Sequence, residues 1–364
     1  MGDEFLMDKL IIQTKHADYP VYIGPGLRFR LAELIPDQYS SFYIITDDQV
    51  GRYYGDEVYE ALSGFKTYIY TVQSGENAKS MKVYQEILDD MLEKQLDRRT
   101  CVVALGGGVV GDLAGFVAAT YLRGVGFIQM PTTLLAHDSS VGGKVAINHK
   151  MGKNLIGAFY HPSAVIYDSE TLETLSLRER RSGFAELIKH SLIDSVQFFD
   201  QLKAAVPNET AMTPENIQPF IKEGIRVKAG IVSQDERESG IRTHLNFGHT
   251  LGHAIESEYG YGRLAHGEAV AIGMVFAMHL SEAHYRRKLP IDKVSSWLKA
   301  LGLPTQVPAG LNIENILHRM RYDKKTQAGS LRFVLMKEIG SVETKTVAIE
   351  EVEEVLSAFM KKNK

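Results

Sequence analysis

The sequence predicts an α/β domain, doubly wound and Rossmann-like, over residues 1–176, followed by an all-α domain over 177–364. Three observations carry this prediction. Short β-rich runs alternate with helical spacing through the first half, the rhythm of a mostly parallel sheet. From about Ser176 the pattern turns to helices, with Arg178 to Arg181 as the expected junction. At 364 residues the chain exceeds one typical domain, so two domains with sizeable cores are expected.

The strand runs are residues 10–12, 21–23, 42–47, 67–70, 101–105 and 127–130, and residues 79–95 and 110–122 have helical spacing. In such sheets ligands bind beyond the carboxyl ends of the strands, so the residues that follow each run matter most. Asp47 closes one run and is placed to accept hydrogen bonds from ribose hydroxyls. Gly106-Gly107-Gly108-Val109-Val110-Gly111-Asp112 closes another and opens a helix, where backbone N–H groups and the helix dipole suit a pyrophosphate. The acid precedes the glycines, whereas in the common dinucleotide fingerprint it follows them by about 20 residues. A tight turn is the other reading of these glycines; the strand-to-helix setting favours the nucleotide.

Ser74-Gly75-Glu76-Asn77-Ala78-Lys79 and Pro131-Thr132-Thr133 bring polar groups to the same edge, and taken singly they also fit helix caps or turns. Residues 137–157 are expected to form a long functional loop without regular structure. Lys144 and Lys153 sit there beside glycines, where an exposed backbone favours anion binding.

In the helical half, Glu186, Lys189 and His190 fall on one face of an apolar helix, fitting either a partly buried ion pair or a carboxylate ligand for a metal. Four of the twelve histidines lie between Arg242 and Glu268. His249 and His253 stand four apart, which puts both imidazoles on one helix face, and His266 follows a loop long enough to fold back. Arg242 and Asn246 complete a polar cluster beside the apolar run 269–276. Spacing alone selects His249 with His253 as the ligand pair, although such pairs are often only solvated or hydrogen-bonded. From Leu289 the chain reads as mostly helical, with Asp323-Lys324-Lys325 before a strand-like 331–336 and a last amphipathic helix at 349–360.

Composition is that of a soluble globular protein, 44% hydrophobic and 24% charged, with a formal net charge of −4. No basic run resembles a nucleic-acid footprint, and no stretch approaches the roughly 20 apolar residues of a membrane span. Cys101 is the single cysteine, so neither an intramolecular disulfide nor a thiolate metal site is expected, and the cytoplasm is the expected location.

Laid end to end, these segments resemble the 3-dehydroquinate synthase family over essentially the whole chain. The resemblance rests on residues 74–79, 106–115, 131–136, 138–144, 152–154, 186–189, 245–253 and 266–268 in family order. It implies NAD and one divalent metal, zinc or cobalt, as cofactors, and conversion of 3-deoxy-D-arabino-heptulosonate 7-phosphate to 3-dehydroquinate and phosphate, the second step of the shikimate pathway. By position, it implies Glu186, His249 and His266 as metal ligands, replacing the pair that spacing selects. NAD contacts would come from Asp47, Glu76, Lys79, Gly108, Val109, Val110, Gly111, Asp112, Thr132, Thr133, Lys153, Thr171, Leu172, Glu173 and Thr174. Substrate groups would be Asp138, Lys144, Asn154, Lys189, Arg242, Asn246 and His253, with Lys324 or Lys325 less securely placed. Arg123 resembles a residue that reaches the neighbouring subunit's phosphate site, which implies a homodimer.

The chemistry implied is oxidation of a ring hydroxyl to a ketone, elimination of phosphate from the carbon thereby acidified, return of the hydride, ring opening and an intramolecular aldol closure. Three competing readings are a metal-dependent polyol dehydrogenase, another sugar-phosphate cyclase, and a non-catalytic nucleotide-binding protein. Lys144, Lys189 and Arg242 count against the first, and the intact ligand set against the last.

Overall fold

A computed structural model describes residues 7–15, 18–36, 38–238, 240–260, 262–323 and 330–361. Lys324 and Lys325 lie outside the described residues. The chain forms two compact units: Met1–Leu175 with Lys228–Glu236, and Ser176–Val227 with Arg237–Lys364.

The first unit is built on the strands β1 (Asp8–Ile12), β2 (Tyr19–Gly24), β3 (Ser41–Asp47), β4 (Lys66–Val72), β5 (Thr100–Gly106), β6 (Gly126–Pro131), β7 (Lys144–His149), β8 (Gly152–Phe159) and β9 (Ala164–Asp168). Seven of them form one sheet in the order β1-β2-β9-β6-β5-β3-β4, parallel except for the edge pair β1 and β2. Alternate residues feed two cores. Tyr43, Ile45, Val102, Ala104 and Phe127 pack against helices Met81–Glu93 and Gly108–Thr120 on one face, while Phe42, Ile44, Val103, Leu105 and Ile128 meet Leu31, Val58 and Leu62 on the other. This period of two, apolar on both faces, produces the continuous hydrophobic strands of a sheet covered on both sides. Complete burial stabilises each such side chain by about 1.5–3 kcal/mol.

Strand β3 pairs with β4 on one side and β5 on the other, so the winding reverses between β3 and β5. A reversal of this kind opens a crevice at the carboxyl ends of the two strands, beside Asp47 and Gly106. Strand β9, whose run Ala-Val-Ile-Tyr-Asp was not read as a strand from sequence, is fully buried between β2 and β6.

The segment 137–157 corrects an expectation. It is not an unstructured loop but a short helix, Ala136–Ser139, followed by most of an antiparallel hairpin of β7 and β8. Val145 and Ile147 alternate into the same core as the helix Gly108–Thr120, and the ladder pairs Lys144 with Phe159. Flanking glycines and polar residues concealed that two-residue period in the sequence.

The second unit is helical, with helices Leu177–Asp194, Val196–Ala205, His249–Tyr259, His266–Tyr285, Ile291–Ala300, Ile313–Asp323 and Ile349–Lys361. Arg178 to Arg181 are not a junction, because they fall in the opening turns of the first of these helices. Ser176 caps that helix: its hydroxyl accepts from the Glu179 N–H, and Glu179 returns a bond to the Ser176 N–H, a capping box that ends the preceding segment sharply. One departure from an all-α unit is the hairpin of β10 (Ser330–Glu338) and β11 (Ser341–Ala348). Leu331, Phe333 and Leu335 alternate into the core beneath helix His266–Tyr285, so the strand buries an apolar face that no helical period would align. Among the described residues no helix is long and apolar enough to cross a membrane.

Candidate functional site

In the first unit, residues assigned from sequence to the nucleotide gather at the carboxyl edge of the sheet. Helix Gly108–Thr120 starts directly after β5 with Gly107 as its N-cap and no side-chain cap, so its first backbone N–H groups face outward under the positive end of the dipole. Val110 and Gly111 are buried beneath, and Gly108 and Val109 lie at the rim. Beside them Thr132 Oγ1 is buried without a hydrogen-bond partner, an uncommon state for a hydroxyl and one that a bound polar ligand resolves. The Thr133 carbonyl accepts from Tyr167, which ties the ends of β6 and β9 together.

Lys79 is the hub of this edge. Its ammonium is almost fully buried and bonds Asp112 at 2.6 Å and Asn154 at 2.5 Å, with Glu76 at 3.9 Å. Burial raises the Asp112 pKa, and Lys79 works against that shift. Glu76 accepts from the Asn148 amide at 2.8 Å and lies 3.9 Å from Lys153. Asn154, assigned from sequence to the substrate, thus joins the Lys79 network, in a left-handed conformation with φ of 57°. Asp47 spends one carboxylate oxygen capping its own turn, accepting from the N–H groups of Gln49 and Val50 at 2.9 Å. In the turn Ser169–Thr174, Thr171 donates to the Asp168 carbonyl, Thr174 is paired with the Tyr54 hydroxyl, Leu172 is buried and Glu173 is exposed.

Also in this unit, Lys144 is exposed at the start of β7, after Gly142 and Gly143. Asp138 lies 3.2 Å from Lys228, which also donates to the Asp138 carbonyl. Lys228 is buried and was not singled out from sequence. The signal for it was a lysine in the periodic apolar register of the long helix Pro214–Gln234, in line with the buried Ile221, Ile225 and Val232. Leu122, Arg123 and Gly124 have φ of 47°, 71° and 118°, and this run of left-handed residues presents Arg123 to solvent.

In the second unit, Glu186, His249, His253 and His266 converge. Glu186 Oε1 lies 3.5 Å from His249 Nε2 and 3.4 Å from His266 Nε2. His253 completes the group, its ring centroid 5.2 Å from that of His249 and 5.9 Å from that of His266. The ion-pair reading holds, since Lys189 pairs with Oε2 with both side chains buried, while Oε1 faces the imidazoles. His266 Nδ1 meets Glu256 Oε2 at 3.1 Å, which turns Nε2 toward Glu186. Glu256 escaped the sequence reading, although it stands three residues after His253 on the same helix.

Close helix contact makes this convergence possible. Helices His249–Tyr259 and His266–Tyr285 pack so tightly that a Cβ on Gly273 would lie 1.8 Å from the Gly248 carbonyl oxygen. Gly267 sits equally close to Ser182, on the helix that carries Glu186. Arg242 is buried, and Asn246 donates its amide to Glu238 at 2.6 Å.

The electrostatics of the cluster favour a cation. Burial lowers the His249 pKa well below its ordinary value, which keeps the imidazole neutral and its lone pair available. Burial also opposes charge on His266, yet Glu186 and Glu256 outweigh it and hold its pKa up at about 10. A positive charge is therefore stabilised between the two carboxylates. With the His266 proton displaced by a cation, two imidazoles and one carboxylate would form a donor set suited to a zinc-like ion with a coordination position left open.

Comparison with known proteins agrees with this architecture. A family model described as 3-dehydroquinate synthase N-terminal matches residues 69–182, and one described as 3-dehydroquinate synthase C-terminal matches 183–326. The 3-dehydroquinate synthase of Geobacillus kaustophilus (strain HTA426) is 50% identical over 338 residues, covering 91% of this chain and 92% of its own. A 2-deoxy-scyllo-inosose synthase solved with carbaglucose-6-phosphate, NAD+ and Co2+ superposes with a TM-score of 0.87 at 26% identity, over 97% of this chain and 100% of its own. The 2-epi-5-epi-valiolone synthase of Streptomyces hygroscopicus subsp. jinggangensis 5008, solved with NAD+ and Zn2+, gives 0.84 at 26% identity, over 96% and 99%. With both halves matched in order and half of the residues shared over nine-tenths of the length, the chain belongs to the 3-dehydroquinate synthase family.

Proposed function

We propose that this chain converts 3-deoxy-D-arabino-heptulosonate 7-phosphate to 3-dehydroquinate and phosphate, each unit bringing its own part of the chemistry. The observation that carries the reading is the 50% identity to a 3-dehydroquinate synthase over 91% of the chain. The donor set at Glu186, His249 and His266 fits a divalent cation, and the uncapped helix start with the orphaned Thr132 hydroxyl fits NAD. When bound, the cation supplies Lewis acidity and the nicotinamide supplies transient hydride acceptance.

The chain's own residues then have definite tasks. Glu256 fixes the His266 ring so that Nε2 is presented, as carboxylates behind metal-binding imidazoles do. Lys189 neutralises the second Glu186 oxygen, so that the carboxylate is held in one orientation. In the first unit, Lys79 holds Asp112 and Asn154 in place at the nucleotide edge. Lys144 and Lys228 offer ammonium groups to the substrate's anionic groups through charge-assisted bonds. In the second unit, Arg242, Asn246 and His253 serve the substrate.

The test is incubation of the purified protein with the heptulosonate phosphate, zinc or cobalt, and catalytic NAD. Phosphate should accumulate linearly while reduced nicotinamide stays at or below the enzyme concentration. Stoichiometric NADH without phosphate would establish a plain dehydrogenase, and turnover of a hexose phosphate alone would establish a different cyclase.

The functional unit proposed is a cytoplasmic homodimer in which Arg123 serves the partner's site, a role that its exposed, left-handed turn supports. Mixing inactive Arg123→Ala and Lys144→Ala chains should restore activity in hybrid dimers. No recovery in heterodimers shown to have formed would refute the shared site.

A further inference from the structure

The first unit contains a histidine–carboxylate pair to which neither the sequence motifs nor the proposed chemistry assigns a task. His161 Nε2 and Glu236 Oε1 are 2.7 Å apart, and the side chains are only 13% and 9% exposed. Since a carboxylate only accepts, Nε2 donates to Glu236, and Nδ1 is buried without a hydrogen-bond partner. Pro162 follows and restricts the His161 backbone to extended conformations.

The ring lies on a glycine. Gly143 has φ of 68°, and a Cβ there would stand 2.9 Å from both Cε1 and Nδ1 of His161. The Tyr160 N–H donates to the Gly143 carbonyl at 2.7 Å, and Lys144 pairs with Phe159 at the start of the hairpin. Residues 159–161 thus contact the backbone leading into Lys144 at three successive positions. At its other end the pair holds Glu236, the last residue of the segment Lys228–Glu236 that the first unit takes from the long helix and its exit. That segment begins at Lys228, which bonds Asp138. It is thus pinned at both ends, by Lys228 to Asp138 and by Glu236 to His161.

We propose that His161 and Glu236 are positioning residues whose contact fixes Lys144 and Lys228 in place for the anionic group of the substrate. The inference rests on the reading of Lys144 as a phosphate-binding residue, and it goes further in naming what holds both lysines. His161 acts through shape, by closing over Gly143, and through its tether, by ending the Lys228 segment.

The experiment uses the zinc- and NAD-loaded enzyme, with inorganic phosphate as a competitive probe beside the KM for the heptulosonate phosphate. His161→Phe keeps a ring over Gly143 but removes the bond, Glu236→Ala removes it from the other side, and Glu236→Gln retains an accepting oxygen. Displaced lysines should raise KM and the phosphate inhibition constant roughly tenfold in His161→Phe and Glu236→Ala, with kcat changed less than about twofold. Glu236→Gln should stay near the unmodified enzyme, and the double variant His161→Phe with Glu236→Ala should be no worse than either single one. NAD affinity should not move.

Unchanged phosphate inhibition in both single variants, while Lys144→Ala loses it, would overturn the positioning role and leave the phosphate reading standing. A Lys144→Ala enzyme that phosphate still inhibits normally would overturn that reading and this inference together. Additive losses in the double variant, or a parallel fall in NAD affinity, would reduce the pair to a general structural contact. Should His161→Phe not fold, the contrast between Glu236→Ala and Glu236→Gln decides the question.

Discussion

The nucleotide edge of the first unit and the histidine cluster of the second are assembled by different means. The first is mainly backbone: an uncapped helix start, turns at the ends of parallel strands, and one buried lysine that ties the neighbouring side chains together. The second is almost entirely side chain: Glu186, His249, His253 and His266 come from three helices, held at a separation that small residues at the contacts permit. A backbone site follows from the fold itself, because every doubly wound sheet presents strand ends and helix starts at one edge. A side-chain site exists only when particular helices meet in one register, so it is the more fragile of the two.

The largest effect should come from Glu186→Gln. This change removes the charge facing two imidazoles and the carboxylate that pairs with the buried Lys189 ammonium, a loss of about 3–5 kcal/mol. Metal retention and turnover should both vanish, while NAD binding to the first unit stays measurable by fluorescence titration. Loss of both affinities together would break the contrast between the two regions.

Next in size is Gly273→Ala, which places a methyl group against the Gly248 carbonyl and forces the two histidine helices apart. Overpacking of this kind costs about 1–3 kcal/mol, read as a lower melting temperature together with weakened metal binding. Gly230→Ala is the control: a Cβ there meets nothing within 4 Å, so stability should hold or rise slightly.

Glu256→Gln should lower metal affinity about 10- to 100-fold, measured by competition with a chelator, with no loss of fold. An unchanged affinity would show that His266 is oriented without Glu256.

The smallest effect is expected at Thr132→Val. Its hydroxyl has no partner within the protein, so removal should leave stability unchanged or raised and weaken NAD by about 0.5–1.5 kcal/mol. Lost stability with unchanged NAD affinity would mean that the hydroxyl serves the fold instead.

The sequence by itself determined the doubly wound sheet, because short apolar β-rich runs alternating with helical spacing admit few alternatives, and it determined the mostly helical second half through its longer period. It also marked Gly107 and Thr132 as edge residues, since they directly follow strands. The hairpin of β7 and β8 was hidden because glycines and lysines interrupt a buried face only a few residues long. Spacing selects His253 beside His249 because the two are near in sequence, whereas His266 comes near only after two helices close on Gly273. Tertiary structure alone brought Glu186 to both His249 and His266, and turned Glu256 toward His266. It alone paired His161 with Glu236, 75 residues away. The physical reason is common to these cases: local pattern records which face of an element is buried, whereas a site made of side chains from separate elements depends on which buried faces meet and how closely their backbones approach.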